Sequence, residues 1–169
     1  MKKAVFFLYL LLVIKLIIFK YPLAELEGIA ASWGKQVILE GLDTANFIPF
    51  HTIHMYIRYH DRLNSFENLA GNVAVFLPFG YLLPWMQGYV CRWRKVLCSA
   101  FFFAAGLELF QLFSAFGAFD VDDILLNCAG ALVGYLLYTV WKTPSAGIYK
   151  KENGFYEHKR KTDRGQEFL

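Results

Sequence analysis

Residues 104–134 read AAGLELFQLFSAFGAFDVDDILLNCAGALVG, two apolar runs joined by a short turn. Polar side chains interrupt both runs, and each would be costly in hydrocarbon unless it had a partner. These side chains are Glu108, Gln111, Asp120, Asp122, Asp123 and Asn127. The stretch therefore predicts two membrane-spanning helices with a polar site near the turn that joins them.

The composition of the whole chain favours a membrane protein. Of its 169 residues 57% are hydrophobic and 18% aromatic, more than a soluble domain needs. The net charge is only +3, and the basic residues lie in one turn and one terminal segment, so we expect no nucleic-acid partner. The three cysteines have no CxxC spacing, and we predict neither a zinc site nor any other cofactor.

We predict an all-α integral membrane protein with four transmembrane helices. The spans cover residues 4–19, 68–86, 96–116 and 122–141, and the third and fourth are each long enough to cross hydrocarbon of about 30 Å. Residues 21–67 are expected to form interfacial helices joined by a loop at 46–51. Residues 1–142 then make one domain, and residues 143–169 form a basic tail.

The positions of the basic residues predict the orientation of these spans. Lys2 and Lys3, the turn from Arg92 to Lys95 and the tail all fall on one side of the four-span arrangement. The positive-inside rule places that side in the cytoplasm, so both termini are predicted to be cytoplasmic. Residues 21–67 and the turn that carries Asp120 then lie at the outer face.

Three of the predicted spans carry polar residues near that face, and within each span these residues lie on one side of the helix. Asn68 and Asn72, Glu108 and Gln111, and Asp123 and Asn127 each repeat at three or four residues, which places each pair on one side of a helix. A GxxxG pattern at Gly130 and Gly134 allows close approach of another backbone. The candidate ligand-binding residues are Asn46, His51, Asn72, Glu108, Gln111, Asp120, Asp123 and Asn127.

Glu108 lies about 10 Å below the end of its helix, where a carboxylate needs a partner. The Glu108 carboxylate could have one of three partners: a cation from the outer segment, the neighbouring amides, or a cationic ligand. The candidate cations are Lys20, Lys35, Arg58, Arg62 and the histidines His51, His54 and His60. His51 and His54 form an HxxH pattern, but we predict no metal because such a short pattern is weak evidence. Asp120 also suits the N-cap of the last helix.

Four ordered motifs resemble the VanZ-like family of small bacterial membrane proteins. They are ANFIPFHTI (45–53), ENLAGNVAVFLPFGYLLP (67–84), GLELFQ (106–111) and FDVDDILLNCAGALVGYLL (119–137). The resemblance implies a multi-pass protein of the bacterial cytoplasmic membrane, in a family named for a member that confers low-level teicoplanin resistance. Many members carry an arginine before the aspartates, whereas this chain has Phe116, Gly117 and Ala118 there.

Two kinds of function follow as hypotheses. In the first, an outward-facing acidic pocket binds a membrane lipid, a cell-wall precursor or a lipoglycopeptide and lowers antibiotic access. In the second, an intramembrane enzyme modifies or hydrolyses a lipid-linked envelope substrate with Glu108, Asp120 or Asp123 as acid and base. No GxSxG nucleophile motif accompanies these carboxyl groups, so whether the protein is an enzyme stays open, as does a homo-oligomeric state.

Overall fold

A computed structural model describes residues 1–18, 23–59, 65–87 and 91–142 of the chain. The described residues form helices and no strand, which confirms the predicted all-α class. The helices are α1 (Lys2–Ile18), α2 (Leu23–Ala31), α3 (Lys35–Asp43), α4 (His51–Arg58), α5 (Ser65–Gln87), α6 (Trp93–Ser114) and α7 (Val121–Lys142). The predicted basic tail and the candidate cations Lys20, His60 and Arg62 lie outside the described residues.

Three of these helices are long and apolar enough to cross a membrane. They cover Glu67–Gln87, Trp93–Ser114 and Val121–Lys142. Their outward surfaces carry large apolar side chains, such as Phe102 at 73% exposed and Val140 at 71%, as expected of residues that face lipid. The protein is therefore a multi-pass membrane protein. The described part of α1 has 17 residues, and its role as a fourth span stays a prediction, as does the cytoplasmic position of the termini.

The core lies between α1, α5, α6 and α7. Phe76 and Phe79 of α5 pack together and against Phe103 of α6, with ring centroids 5.7–5.8 Å apart. Val13 of α1 is 1% exposed within the same cluster, and Ala131 of α7 is fully buried there. Burial of these side chains fixes α1 against α5 and α6, with its carboxyl-terminal end beside the amino-terminal end of α5.

The backbones of α5 and α7 touch at three glycines. A methyl group added at Gly130 would lie 2.1 Å from the carbonyl oxygen of Val73, and one at Gly134 would lie 1.9 Å from that of Leu77. From the other side, a methyl group at Gly80 would lie 1.8 Å from the carbonyl oxygen of Ala131. The GxxxG pattern therefore does bring two backbones together, and α5 is the partner helix.

The helix α5 continues through both of its prolines, Pro78 and Pro84. Because Pro78 has no N–H, the carbonyl of Ala74 loses its helical donor. One residue further on, the carbonyl of Val75 accepts a hydrogen bond of 2.7 Å from the hydroxyl of Tyr9 on α1. This contact ties α1 to α5 beside the interrupted turn.

Candidate functional site

A cavity of about 310 Å³ opens where the ends of α1, α4, α5, α6 and α7 meet. Its lining includes four carboxyl groups, four side-chain amides, one tyrosine hydroxyl and three apolar side chains. The lining residues are Leu16, Ile17, Tyr56, Glu67, Asn68, Gly71, Asn72, Val75, Glu108, Gln111, Asp120, Asp123 and Asn127. The lining residues that the structure describes carry four carboxyl groups and no lysine, arginine or histidine.

Asp123 and Asn127 lie one helical turn apart on α7, and both line the cavity. The amide of Asn72 on α5 donates a 2.5 Å hydrogen bond to the carboxylate of Asp123. Asn127 is 2% exposed, and its Oδ1 accepts no hydrogen bond from the described residues. A buried amide oxygen without a donor costs free energy comparable to a lost hydrogen bond, and such a group calls for an explanation.

Glu108 and Gln111 of α6 line the same cavity, and both are almost fully buried. The carboxylate of Glu108 accepts a 3.0 Å hydrogen bond from the backbone N–H of Asp120. The amide of Gln111 donates to the carbonyl of Ile17, at the end of α1, at 3.2 Å. Glu108 is therefore fixed against the start of α7, and Gln111 against α1.

Asp120 caps α7 and anchors the loop before α4. Its Oδ1 accepts from the backbone N–H of Asp122 at 2.8 Å, an N-cap contact, and from the amide of Asn46 at 2.8 Å. The backbones of the two segments also pair: the N–H of Asn46 donates to the carbonyl of Phe119 at 2.8 Å, and that of Val121 to the carbonyl of Asn46 at 3.0 Å. Asn46 thus holds its loop over the turn between α6 and α7.

Asp122 caps a second helix, α4. Its side chain is fully buried, and its carboxylate accepts from the backbone N–H groups of Phe50 and Ile53. Phe50, the residue before α4, has a φ of 67°, a left-handed conformation that is unusual for an aromatic residue. A carboxylate at a helix amino terminus satisfies free N–H groups and suits the helix dipole. Asp122 is thus structural, and it positions Tyr56 on α4 at the cavity.

Tyr56 closes the cavity on the α4 side. Its hydroxyl accepts a 3.2 Å hydrogen bond from the amide of Asn68 on α5. Partial burial raises the pKa of Tyr56, and the neighbouring carboxyl groups of Asp123 and Asp120 raise it further. The phenol therefore stays protonated at neutral pH and adds no negative charge to an already acidic cavity.

The structure brings most of the candidate ligand-binding residues together. Asn72, Glu108, Gln111, Asp120, Asp123 and Asn127 all line the cavity. Asn46 contacts Asp120 but is not itself a lining residue, and His51 is exposed at the start of α4 and is not a lining residue either. Of the candidate counter-charges, Lys35 and Arg58 are exposed and do not line the cavity. The roles of all eight residues in binding stay predictions.

The cavity lining also contains residues that were not predicted from the sequence. Glu67, Gly71 and Val75 lie on the same face of α5 as Asn68 and Asn72, so the three- and four-residue spacing could have found them. Tyr56 belongs to α4, and Leu16 and Ile17 belong to α1. No spacing of polar residues in the sequence indicates that these three line the cavity. Within the described ranges no group of three or more His, Cys, Asp or Glu side chains has the geometry to hold a metal ion.

The fold and the cavity define a class: a small multi-pass membrane protein with an acidic, amide-lined cavity where its helix ends meet. The chain belongs to the VanZ/LLP1 family, whose sequence model matches residues 6–142. It is 32% identical over 77 residues to Protein VanZ of Enterococcus faecium. That match covers 44% of this chain and 45% of that protein, so it spans less than half of the relative. No solved structure matches the chain.

Proposed function

We propose that this protein binds an envelope lipid, a cell-wall precursor or a lipoglycopeptide in its acidic cavity and thereby contributes to glycopeptide resistance. The observation that carries the proposal is the convergence of four carboxyl groups and four amides, from α5, α6 and α7, on one cavity at the helix ends. Intramembrane ionisable groups are costly and are mostly retained for function. Family membership and the similarity to Protein VanZ support the link to teicoplanin resistance.

In this proposal the cavity opens toward the outer face of the cytoplasmic membrane. Lys2, Lys3 and the residues from Arg92 to Lys95 at the start of α6 lie at the helix ends opposite the cavity, as the positive-inside rule requires of the cytoplasmic side. Glycopeptides act from outside the cell, so a cavity on that side has direct access to the drug or to its cell-wall target.

Glu108→Gln tests the proposal. Glutamine has nearly the same shape, and its Oε1 can still accept the hydrogen bond from the N–H of Asp120, while the cavity loses one carboxyl group. Thermal unfolding of the variant checks that the fold is kept. We expect cells with this variant to be as teicoplanin-sensitive as cells without the protein, and to bind as much drug at their surface. Susceptibility assays and labelled-drug binding measure these effects, with Asp43→Asn, an exposed residue of α3, as control. If deletion and Glu108→Gln both leave sensitivity and drug binding unchanged, the proposal fails.

The alternative is an intramembrane enzyme acting on a lipid-linked substrate. Its support is that Glu108, Asp120 and Asp123 line one cavity, an arrangement in which unequal environments can set one carboxyl group as acid and another as base. Mass spectrometry of envelope lipids separates the two functions. A lipid species that changes with the wild-type protein and reverts with Glu108→Ala would favour the enzyme, and an unchanged lipid profile would favour binding alone.

A further inference from the structure

We propose that the loop before α4, residues 46–50, is a membrane anchor whose side chains Phe47, Ile48 and Phe50 insert into the lipid leaflet on the cavity side. They reach the boundary between the headgroups and the acyl chains. This anchor goes beyond the proposed function, because it does not depend on what the cavity binds. It follows from the exposed apolar side chains of the loop, from its paired backbone, and from its attachment to the start of α7.

The loop presents three large apolar side chains and no charge. Phe47 is 57% exposed, Ile48 66% and Phe50 65%. The sequence of residues 45–50, ANFIPF, contains no charged residue. Phe47 also stacks on Phe119, with ring centroids 5.1 Å apart, which extends the apolar group to the residue before the turn into α7. Single exposed apolar side chains are common, but a group of them marks contact with lipid or with another protein.

Hydrogen bonds within the protein satisfy much of the loop backbone. The N–H groups of Asn46, Ile48 and Phe50 all donate, and Pro49 has no N–H. The three acceptors are the carbonyl of Phe119, the side-chain Oδ1 of Asn46 and the carboxylate of Asp122. The carbonyls of the same three loop residues accept backbone N–H groups in turn. Because unpaired backbone groups are costly next to lipid, this pairing lowers the cost of placing the loop there.

The attachment to α7 places the loop at the level where a span begins. The backbone of Asn46 pairs with Phe119 and Val121, on either side of Asp120. The span Val121–Lys142 has 22 residues, so its length of about 33 Å is close to the hydrocarbon thickness of about 30 Å. A loop bonded to the first residue of this span lies near the boundary of the hydrocarbon, within reach of the acyl chains for a large side chain.

The helix that follows the loop has a polar face that suits lipid headgroups. His51, His54 and Arg58 of α4 are spaced by three and four residues, so they lie on one side of the helix, and all three are exposed. Their N–H groups can donate to lipid phosphates. The guanidinium of Arg58 lies over the ring of Tyr59, 5.8 Å from its centroid, and tyrosine is enriched at the headgroup layer. An apolar tip beside such a face favours a lipid surface over a protein partner.

The backbone of Phe50 holds its ring outward at an energetic cost. Its φ of 67° lies in the left-handed region, which aromatic residues rarely adopt. The buried carboxylate of Asp122 holds the N–H of Phe50 in this conformation. Strained residues persist where the surrounding structure fixes them, and they are often functional. Contact with lipid gives the exposed ring of Phe50 a role that packing within the protein does not supply.

Spin labelling tests the insertion in a bilayer. A nitroxide is attached to Ile48→Cys in the full chain, in which Cys91, Cys98 and Cys128 are replaced with alanine. The protein is reconstituted in liposomes of phosphatidylglycerol and phosphatidylethanolamine. Collisions of the label with oxygen, which partitions into lipid, are then compared with collisions with a water-soluble nickel chelate.

We expect the oxygen-to-nickel collision ratio of Ile48→Cys to exceed that of His54→Cys several-fold. His54 is the matched control, because it lies on the exposed polar face of α4, and Phe102→Cys, exposed within the span of α6, gives the ratio for hydrocarbon. Equal ratios for Ile48→Cys and His54→Cys would overturn the inference, because the loop would then lie in water. Few collisions of Ile48→Cys with either reagent would also overturn it, since a protein, such as a second copy of the chain, would then cover the loop.

A second measurement uses the wild-type chain, so it is informative even if the labelled variants fold poorly. The protein is irradiated in liposomes that contain a phospholipid with a diazirine on its acyl chain, and mass spectrometry locates the adducts. We expect adducts on residues 47–50 as well as on the span around Phe102. Adducts on that span with none on residues 47–50 would overturn the inference. The proposed function is tested separately, because the effect of Glu108→Gln on resistance does not depend on where this loop lies.

Discussion

Replacement of Gly134 with alanine is expected to destabilise the protein severely, although it adds a single methyl group. That methyl group would lie 1.9 Å from the carbonyl oxygen of Leu77 and 3.0 Å from the backbone nitrogen of Tyr81. Both are backbone atoms of α5, so no side chain can rotate to make room, and the two helices must separate. Overpacking of this kind costs about 1–3 kcal/mol and more where the backbone must move.

The matched control is Gly106→Ala on α6, where an added methyl group would meet nothing within 4 Å. Alanine in a helix interior is favoured over glycine by roughly 0.5–1 kcal/mol, so this variant should be as stable as wild type or slightly more so. Thermal unfolding in detergent, followed by circular dichroism, measures both variants. Equal midpoints for Gly134→Ala and Gly106→Ala would contradict the close α5–α7 contact.

Asp122→Ala is the second variant with a large expected effect. The fully buried carboxylate accepts from the N–H groups of Phe50 and Ile53, and alanine would leave both donors without that acceptor. Each hydrogen bond to a charged group is worth about 1.5–3 kcal/mol, so the loss should exceed 3 kcal/mol or release α4 altogether. Release of α4 would also withdraw Tyr56 from the cavity.

Limited proteolysis and hydrogen exchange across residues 44–59 measure this effect directly. We expect Asp122→Ala to open that segment while the exchange of α6 and the buried part of α5 changes less. Asp43→Ala, a loss of the same side-chain type at an exposed position in α3, should leave residues 44–59 protected. Unaltered protection of α4 in Asp122→Ala would show that another contact holds this helix.

The sequence carried enough information to predict three of the four proposed spans, which the structure supports, and the polar side of each of these three helices. Apolar runs of about twenty residues identify α6 and α7, and the three- and four-residue spacing of Glu108 with Gln111 and of Asp123 with Asn127 places these pairs toward one cavity. GxxxG at Gly130 and Gly134 predicted a close helix contact, which the structure assigns to α5. These features are local, so a single sequence reveals them.

Contacts between segments that are distant in the sequence could not be predicted from it. The carboxylate of Asp122 accepts hydrogen bonds from the backbone N–H groups of Phe50 and Ile53, which lie roughly seventy positions earlier. Every residue except proline has a backbone N–H, so the identity of the donor residues gives no sign of this contact in the sequence. Asn46 pairs with Asp120 through a backbone bridge, and neither Asn46 nor the exposed His51 is among the lining residues. A parallel backbone pairing of this kind has no signature in hydrophobic periodicity.

Substitution of Gly71 with leucine tests most directly whether the cavity binds an envelope molecule. It lines the cavity, and a Cβ atom added there would meet nothing within 4 Å. Gly71→Leu should therefore place its side chain in the cavity, while every polar lining residue is kept. Native mass spectrometry would compare wild type, Gly71→Leu and the exposed control Gly106→Leu, each extracted from its own membrane with gentle detergent. We predict a bound envelope molecule on wild type and on Gly106→Leu, and its loss from Gly71→Leu. The same bound species on all three proteins, or none on any, would contradict the account.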